Sequence, residues 1–460
     1  MPDDLCKTMP AEMNLSEVDN ELASRLESYS DDFWASTDRD PREDLHAYFQ
    51  YPAMMVPGLP RELIELVCSL QPTVKNVLDP FVGAGTTLTS CMPLALNFTG
   101  QDINPLAVLI SRAKTGPFYH QALQRQVECV LKRIEADTAE DIEANFTNID
   151  KWFQPSVQIE LSRIHRAIRQ ERWLWVRRFF WVALAETARL TSNSRTSTYK
   201  LHIRPEDEIE SREVPAVEVF TGLVNQNQED FLTFKESLDE VQSLQRGRYV
   251  GNLSIHLEDS AVRVVPPTNS AEHYDLLITS PPYGDNTSTV PYGQHSYLPL
   301  QWIDLKDIDR KAVKVDWLRT TQEIDRRSLG GSIPRELDPL VEHLSEQSSS
   351  YKATADSLIE KPRDRRSRVT TFSFDLNKTL TPIVRRLRRN AYLIWIVGNR
   401  HVGGIEIPTD NILVELLEDQ GVKLVTRVTR RIMFRRMATR NQIASMMRQE
   451  HILVFRKAGQ

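Results

Sequence analysis

The sequence predicts an α/β fold whose sheet is mostly parallel. A short apolar strand at residues 76–79 runs into a glycine-rich turn, and residues 86–96 have the character of a helix. Residues 98–102 predict a second strand that ends in an acid. This order of strand, turn, helix and strand opens a β–α–β unit, whose two strands lie parallel in one sheet.

Hydrophobic periodicity predicts helices before and after this unit. Residues 61–70 place apolar side chains on one helical face. Residues 157–168 repeat that spacing, and the Trp- and Phe-rich stretch 173–190 predicts a more buried helix. These helices belong to a long interruption between the second strand and the next strand pattern, so we expect a helical insertion there.

The α/β pattern resumes after residue 250. Residues 252–260 and 274–279 predict strands, whereas residues 284–380 are polar and poor in periodicity apart from helix candidates near 335–360. The last part of the chain predicts an apolar strand, a helix stopped by a glycine, and a terminal antiparallel pair. These three features lie at residues 391–399, at residues 411–421 with Gly421 as the stop, and at residues 423–434 with 451–457.

Composition limits the class of protein. The chain has 460 residues, a net charge of −6 and four scattered cysteines, so neither a disulfide framework nor a metal site is predicted. No apolar run is long enough to span a membrane, and the acidic N-terminus lacks a secretory h-region. We therefore expect a cytoplasmic protein that is not bound to a membrane.

The charge is unevenly distributed. Residues 1–50 hold 13 acids and four bases, whereas residues 361–390 hold ten bases and residues 421–440 hold seven bases and no acid. Because a polyanion responds to local potential, the two basic clusters are candidates for phosphate contact or, equally, solvated faces paired with the surplus acids. The candidates for phosphate contact are Arg427, Arg430, Arg431, Arg435 and Arg436.

The turn after the first strand predicts a cofactor site. Gly83 and Gly85 let the backbone turn tightly and approach a ligand, and the helix that follows offers free N–H groups to a carboxylate. That suits the methionine end of S-adenosylmethionine. Asp102 ends the second strand and can accept both ribose hydroxyls, a placement that also fits NAD. Asp259 is either an acceptor for the adenine amino group or a turn residue.

The apolar strand at 274–279 leads into Ser280-Pro281-Pro282-Tyr283. Two prolines stiffen the exit turn, so the Ser280 side chain and the Pro281 carbonyl could hold both hydrogens of an amino group. Tyr283 would stack on a base, and stacking offsets part of the cost of flipping that base out of a duplex.

In this order DPFVGAGTT, QDINP and ITSPPY resemble the amino-methylating DNA methyltransferases, and the serine form of SPPY is most similar to the cytosine-N4 branch. The resemblance implies a Rossmann-like, seven-stranded sheet with an antiparallel last strand. It also implies S-adenosylmethionine as cofactor, double-stranded DNA as partner, and a restriction–modification role with a cognate endonuclease as a candidate partner. The cofactor residues it implies are Tyr51, Pro52, Asp79, Phe81, Gly83, Gly85, Thr86, Thr87, Asp102, Asn104 and Asp259.

On this resemblance the chain divides into four parts. Residues 1–47 form an acidic N-terminal arm, and residues 116–249 form the helical insertion. Residues 301–384 form a polar, Arg- and Ser-rich insertion that is a candidate for target recognition. The methyltransferase core is residues 48–115, 250–300 and 385–460.

Four alternative functions differ from this one in the residues that they require. Cytosine-C5 methylation needs a nucleophilic thiolate, normally in a Pro-Cys pair, and no cysteine here follows a proline. RNA guanine-N2 methyltransferases share PPYG, present here as residues 281–284, but their motif usually opens with Asp or Asn. Adenine N6 remains an alternative target because SPPY does not strictly separate the two bases. A non-catalytic DNA-binding relative would have lost the motif residues.

Overall fold

The computed structural model describes residues 14–30, 33–34, 44–268, 272–286, 288–432 and 449–459. Seven of its strands form one central sheet, and four short strands form two separate hairpins. In chain order the strands are β1 (Asn76–Asp79), β2 (Asn97–Asp102), β3 (Leu244–Gln245), β4 (Arg248–Tyr249), β5 (Leu253–Leu257), β6 (Tyr274–Thr279), β7 (Leu387–Val397), β8 (Arg400–Val402), β9 (Ile405–Ile407), β10 (Val422–Arg431) and β11 (Gln449–Lys457).

Helices surround the sheet and make up both insertions. In chain order they are α1 (Leu15–Ser28), α2 (Gly58–Leu70), α3 (Thr86–Cys91), α4 (Pro105–Ala113), α5 (His120–Ala136), α6 (Ile149–Trp152), α7 (Pro155–Arg169), α8 (Leu174–Thr191), α9 (Glu206–Ser211), α10 (Ala216–Glu240), α11 (Tyr292–Leu300), α12 (Leu305–Ile308), α13 (Glu323–Arg327), α14 (Asp338–Gln347), α15 (Ser349–Ser357), α16 (Arg363–Arg385) and α17 (Thr409–Asp419). Within the part of the chain described above, every helix is too short or too polar to cross a lipid bilayer.

The sheet has the order β10-β11-β7-β6-β1-β2-β5. Strands β7, β6, β1, β2 and β5 pair in parallel, and β11 pairs antiparallel with both of its neighbours. The mostly parallel, seven-stranded sheet with an antiparallel last strand is therefore confirmed. Because β11 runs against the others, it begins at the edge where β6, β7 and β10 end.

The two faces of the sheet are covered by different parts of the chain. Val77 faces one apolar cluster and Leu78 the other, as the alternation of side chains along a strand requires. The first cluster contains apolar residues of helices α1 to α5, α7, α8 and α10, so the helical insertion packs on that face. The second cluster contains apolar residues of helices α14 to α17.

The expectation that residues 284–380 lack regular structure outside 335–360 is wrong. Helix α16 runs for 23 residues, and its Phe372, Leu376 and Leu380 are buried against the sheet. Ten bases in residues 361–390 obscure this apolar stripe in the sequence. The range 338–385 therefore supplies much of the layer that covers the second face.

The N-terminal helix α1 packs on the same sheet. Its Val18, Leu22 and Leu26 are buried in the first apolar cluster. Its Asp19 carboxylate accepts a 2.7 Å hydrogen bond from the Tyr392 hydroxyl of β7 and a 2.9 Å bond from Arg456 Nε of β11. One buried acid thus joins the helix to two neighbouring strands.

A second buried acid joins the ends of β1 and β6. Asp79 is fully buried and accepts hydrogen bonds from Thr279 Oγ1 at 2.6 Å, from Thr87 Oγ1 at 2.7 Å and from the Phe81 N–H at 3.1 Å. Burial raises its pKa to about 6, and the three donors act against that rise. This acid therefore fixes the glycine turn after β1 beside the SPPY turn after β6.

We predict that Thr279→Val lowers the free energy of unfolding by about 1–3 kcal/mol, because it leaves a buried carboxylate with one donor fewer. Urea denaturation followed by circular dichroism measures the change. Thr187→Val is the matched control, because Thr187 is equally buried but its hydroxyl bonds locally to the Ala183 carbonyl at 2.8 Å. Equal losses in the two variants would contradict a special role for the Asp79 contact.

Candidate active site

A cavity of about 890 Å³, partly open to solvent, lies at the edge where the parallel strands end. Loops that follow β1, β2, β5 and β6 all contribute to its wall. Gly83 of the glycine turn and Ser280 of the SPPY turn both line it, so the two turns face one cleft, as the sequence interpretation requires. Clefts at this edge are the usual ligand sites of open α/β sheets.

Two glycines of this turn have left-handed backbone conformations, which glycine adopts at no steric cost. Gly83 has φ +48° and Gly85 has φ +81°, and a Cβ at Gly85 would stand 3.0 Å from the Ser111 hydroxyl. That hydroxyl donates to the Gly83 carbonyl at 2.9 Å. Gly85 then caps the N-terminus of α3, so backbone N–H groups are presented close to the cavity.

A buried lysine supports this turn from beneath. Lys114 is 1% exposed, and its Nζ donates to the Ala84 carbonyl at 2.7 Å and contacts His46 Nδ1 at 3.1 Å. Burial and the neighbouring Lys114 charge hold the pKa of His46 well below its usual value. The neutral imidazole therefore bridges Lys114 to Thr89 of α3, 3.0 Å from its Nε2.

Asp102 is held in place by the backbone of the loops around it. Its carboxylate accepts from the Gly83 N–H at 3.0 Å and from the Asn104 N–H at 2.8 Å. Removal from water raises its pKa to about 6, against the effect of these backbone donors. At neutral pH the group is an anion that lines the cavity and can accept further hydrogen bonds from hydroxyls.

Asn104 and Tyr51 form the wall beyond Asp102. Asn104 caps α4 by accepting from the Leu106 N–H at 3.0 Å, and its Nδ2 donates to the Tyr51 hydroxyl at 3.1 Å. The same Nδ2 donates to the Ser296 hydroxyl of α11 at 2.8 Å. The Tyr51 ring lies 3.6 Å from where a Gly83 Cβ would be, so it closes the cavity over the glycine turn.

Asp259 lies on the opposite wall, after β5. Its Oδ1 accepts from the Ala261 N–H at 2.8 Å, as a turn residue does, and the residue also lines the cavity. Both interpretations of this acid are compatible with its position. The neighbouring Glu258, which belongs to no recognised motif, lines the cavity as well and forms an ion pair with Lys311.

The SPPY turn is fixed by a chain of hydrogen bonds. The Ser280 hydroxyl donates to the Tyr283 hydroxyl at 3.0 Å, and the Tyr283 hydroxyl donates to Glu450 Oε1 at 3.0 Å. Arg430 donates to Glu450 Oε2 from Nη2 at 2.7 Å and from Nε at 2.9 Å. Burial raises the pKa of Tyr283 well above its usual value, so the phenol stays protonated.

The assignment of Arg430 to DNA phosphates is corrected by this contact. Its side chain is 3% exposed and its guanidinium is bound to Glu450, so it supports the SPPY turn from within the protein. Arg427 pairs with Asp410 at 2.7 Å and is about one-third exposed, and Arg431 is exposed at the end of β10. The two remaining candidates, Arg435 and Arg436, lie outside the described residues.

Fifteen residues were selected from the sequence for the cofactor and base sites, and ten of them line the cavity. Five lie behind the wall: Asp79 and Thr87 bond to each other, and Gly85, Pro281 and Tyr283 shape or support the two turns. The ten in the wall are Tyr51, Pro52, Phe81, Gly83, Thr86, Asp102, Asn104, Asp259, Ser280 and Pro282.

The cavity also has a wall that the sequence did not predict. Asn286 is 1% exposed, and its Nδ2 donates to Asp325 Oδ1 at 3.1 Å. Arg327 lies over the Trp317 ring at 5.2 Å and bonds to Glu323 at 2.9 Å. Asn286 was detectable as part of the SPPYGDN run, whereas Arg327 follows no motif. The unpredicted wall residues include Glu258, Asn286, Tyr292, Arg327, Ser328 and Leu329.

The shape of this site suits S-adenosylmethionine. Gly83 of the glycine turn and Asp102 line the cavity together, and the Asp102 carboxylate can accept ribose hydroxyls. The Ser280 side chain lines the same cavity. These features place the protein in the class of S-adenosylmethionine-dependent methyltransferases.

Comparison with known proteins identifies the family. Residues 8–112 match the N6/N4 methyltransferase family of DNA methylases. The Type II methyltransferase M.MvaI of Kocuria varians is 31% identical over 440 residues, which cover 93% of this chain and 93% of the relative. The chain belongs to the amino-methylating DNA methyltransferases, so its methyl donor is S-adenosylmethionine and its substrate is DNA.

Two further likenesses are partial or weak. The Type II methyltransferase M.MjaII of Methanocaldococcus jannaschii is 29% identical over 90 residues, 19% of this chain and 16% of the relative. The solved structure of the rRNA methyltransferase aviRa from Streptomyces viridochromogenes is 11% identical and covers 92% of this chain and 96% of its own. Its TM-score is 0.30, so no argument is based on it.

We predict that the affinity for S-adenosylmethionine falls about tenfold between pH 7 and pH 5, because the ionised form of Asp102 is a better acceptor for hydroxyls than the neutral acid and the pKa of this group is about 6. Isothermal titration calorimetry measures the affinity at each pH. In Asp102→Asn the affinity should be about ten- to a hundredfold lower at pH 7 and should lose this pH dependence. An unchanged affinity in that variant, or an unchanged pH profile, would contradict the role of Asp102.

Proposed function

We propose that the protein methylates the exocyclic N4 amine of cytosine, flipped out of a specific duplex sequence. The observation that carries this proposal is the Ser280 hydroxyl, which lines the cofactor cavity while its hydrogen is bound to Tyr283. With its own proton engaged, this oxygen is left with lone pairs that can accept from an amine. The serine form of the motif supports cytosine N4 over adenine N6.

The chain's own residues orient the amine so that its nitrogen can act as the nucleophile. Ser280 accepts one amine hydrogen and the rigid turn at Pro281 and Pro282 supplies a second acceptor in its backbone, which aims the nitrogen lone pair across the cavity. Bound S-adenosylmethionine supplies an electrophilic methyl group. Tyr51 and the residues Arg327 to Leu329 line the cavity around the proposed point of transfer.

The proposal is tested on unmethylated plasmid and genomic DNA, since the target sequence is not specified by the site. The DNA is incubated with the protein and isotopically labelled S-adenosylmethionine, digested to nucleosides and analysed by mass spectrometry. Label in N4-methylcytosine supports the proposal. Label in N6-methyladenine overturns the choice of base, and label found only in a parallel reaction with transfer RNA overturns the choice of DNA.

We predict that Ser280→Ala lowers kcat at least a hundredfold while leaving the affinity for S-adenosylmethionine within about twofold of wild type, because the lost hydroxyl orients the amine and not the cofactor. Labelled methyl transfer to DNA and calorimetry measure the two quantities. Ser288→Ala, at an exposed serine eight residues further along the chain, is the comparison. Near-normal turnover in Ser280→Ala would show that the base pocket is elsewhere.

The DNA surface is proposed to extend along the edge where β10 ends. Arg431 is the last residue of β10, at the same edge as the cavity, and Arg427 lies four residues earlier on the same face of that strand. Both side chains are at least partly exposed. The wall segment around Arg327, within the insertion at 301–384, is proposed to take part in target recognition because it borders the site of the flipped base.

We predict that Arg431→Gln and Arg427→Gln each reduce the slope of log affinity for DNA against log salt by roughly one, the effect of one lost phosphate contact. Fluorescence anisotropy with duplex DNA over a salt series measures the slope. Arg246→Gln is the control, because this exposed arginine lies on the turn between β3 and β4. That turn precedes the amino end of β5, whereas the cavity lies where the parallel strands end. Slopes equal to that of wild type would show that these two arginines interact with the protein itself and not with DNA phosphates.

The relatives named Type II methyltransferases support a restriction–modification role. In such a role the protein would protect one duplex sequence from a cognate endonuclease, which is the partner we propose. A plasmid methylated by the protein, then challenged with candidate endonucleases of known sequence preference, identifies that sequence. Resistance to none of them would remove the support for this role.

A further inference from the structure

The SPPY turn is joined to the end of the β10–β11 pair by four side chains. Arg430 and Glu450 stand directly opposite each other on these antiparallel strands. The carboxylate of Glu450 binds the guanidinium with one oxygen and the Tyr283 hydroxyl with the other. Tyr283 in turn accepts from Ser280. Consecutive hydrogen bonds therefore connect the buried guanidinium of Arg430 to the Ser280 hydroxyl, which is the proposed acceptor for the amine.

The direction of each hydrogen bond follows from the chemistry of the groups. An ionised carboxylate only accepts, so both Arg430 and Tyr283 donate to Glu450. The Tyr283 oxygen is then left as an acceptor, and the Ser280 proton points to it. Burial raises the pKa of the Tyr283 phenol, which keeps its proton available for Glu450.

We propose that Glu450 is a positioning residue for methyl transfer, acting through Tyr283 to hold the Ser280 hydroxyl as an acceptor for the base amine. Arg430 fixes the carboxylate in place and balances its charge. This inference rests on the proposed function of Ser280. Hydrogen bonds in such a chain polarise one another, so the ionised end also strengthens the acceptor at the other end.

Without Glu450 the Ser280 hydroxyl has no fixed orientation. The phenol of Tyr283 would then be free to rotate its proton toward Ser280, and Ser280 would turn its own proton toward the cavity. A hydroxyl that donates into the cavity opposes an amine that also donates. The expected defect is therefore in the orientation of the base, and cofactor binding should be unchanged.

The protein contains a matched control for this arrangement. Asp19 binds Arg456 of β11 and the Tyr392 hydroxyl, so it is also a carboxylate held between an arginine and a tyrosine. It lies towards the opposite end of β11, away from the cavity, since Arg456 pairs with Tyr392 near the start of β7. Loss of this second cluster should affect stability alone.

The experiment compares Glu450→Gln, Tyr283→Phe, the double variant and Asp19→Asn. Single-turnover methyl transfer gives the rate of the chemical step, calorimetry gives the affinity for S-adenosylmethionine, and thermal denaturation gives stability. We expect Glu450→Gln and Tyr283→Phe each to slow the chemical step about ten- to a hundredfold with unchanged cofactor affinity. We expect the double variant to be no slower than the slower single variant, and Asp19→Asn to be less stable but as fast as wild type.

Three results would overturn the inference. They are a normal rate in Glu450→Gln, additive losses in the double variant, and an equal slowing by Asp19→Asn. If Glu450→Gln does not fold, the Tyr283→Phe variant decides alone, because it removes only the hydroxyl. A normal rate of methyl transfer in Tyr283→Phe refutes the proposed role of Glu450. Activity retained in Ser280→Ala would instead refute the base pocket itself, so the two failures are distinguishable.

Discussion

The hydrogen bond between Asp79 and Thr279 is the contact on which the site depends. The strands β1 and β6 are neighbours in the sheet but about 200 residues apart in the chain, and each carries one half of the site at its end. One buried carboxylate binds both ends and also holds α3 through Thr87. Its burial is costly, which its raised pKa records, and the three donors offset that cost.

From this link outward, the polar groups of the cavity are oriented by the protein itself. Asp102 is fixed by two backbone N–H groups, Asn104 by a helix N-terminus, and Ser280 by Tyr283. Little rearrangement is needed for these groups to meet a ligand, and preorganisation of this kind favours reaction over mere binding. The same arrangement joins the glycine turn after β1 to the SPPY turn after β6. A change in the conformation of one turn is therefore expected to alter the other.

Much of the fold and ten of the cavity's wall residues could be predicted from the sequence, because the motif residues act through backbone geometry that is local. Gly83, Asp102 and Ser280 are examples, each placed by the strand that it follows. What could not be predicted depends on partners distant in the chain. Glu450 reaches Tyr283 from 167 residues away, and the sequence pattern alone made Arg430 resemble a surface charge because it does not show that Glu450 is its partner.

Helix α1 shows how an unpromising acidic segment can be part of the core. It covers apolar side chains of the sheet and satisfies Tyr392 and Arg456 through one carboxylate. A gene shortened to begin near residue 48 would encode a protein in which the apolar side chains under α1 are exposed. In that protein Tyr392 and Arg456 would also lack the carboxylate of Asp19. Exposed apolar surface of this kind favours self-association, so a shortened version of this enzyme needs to keep helix α1.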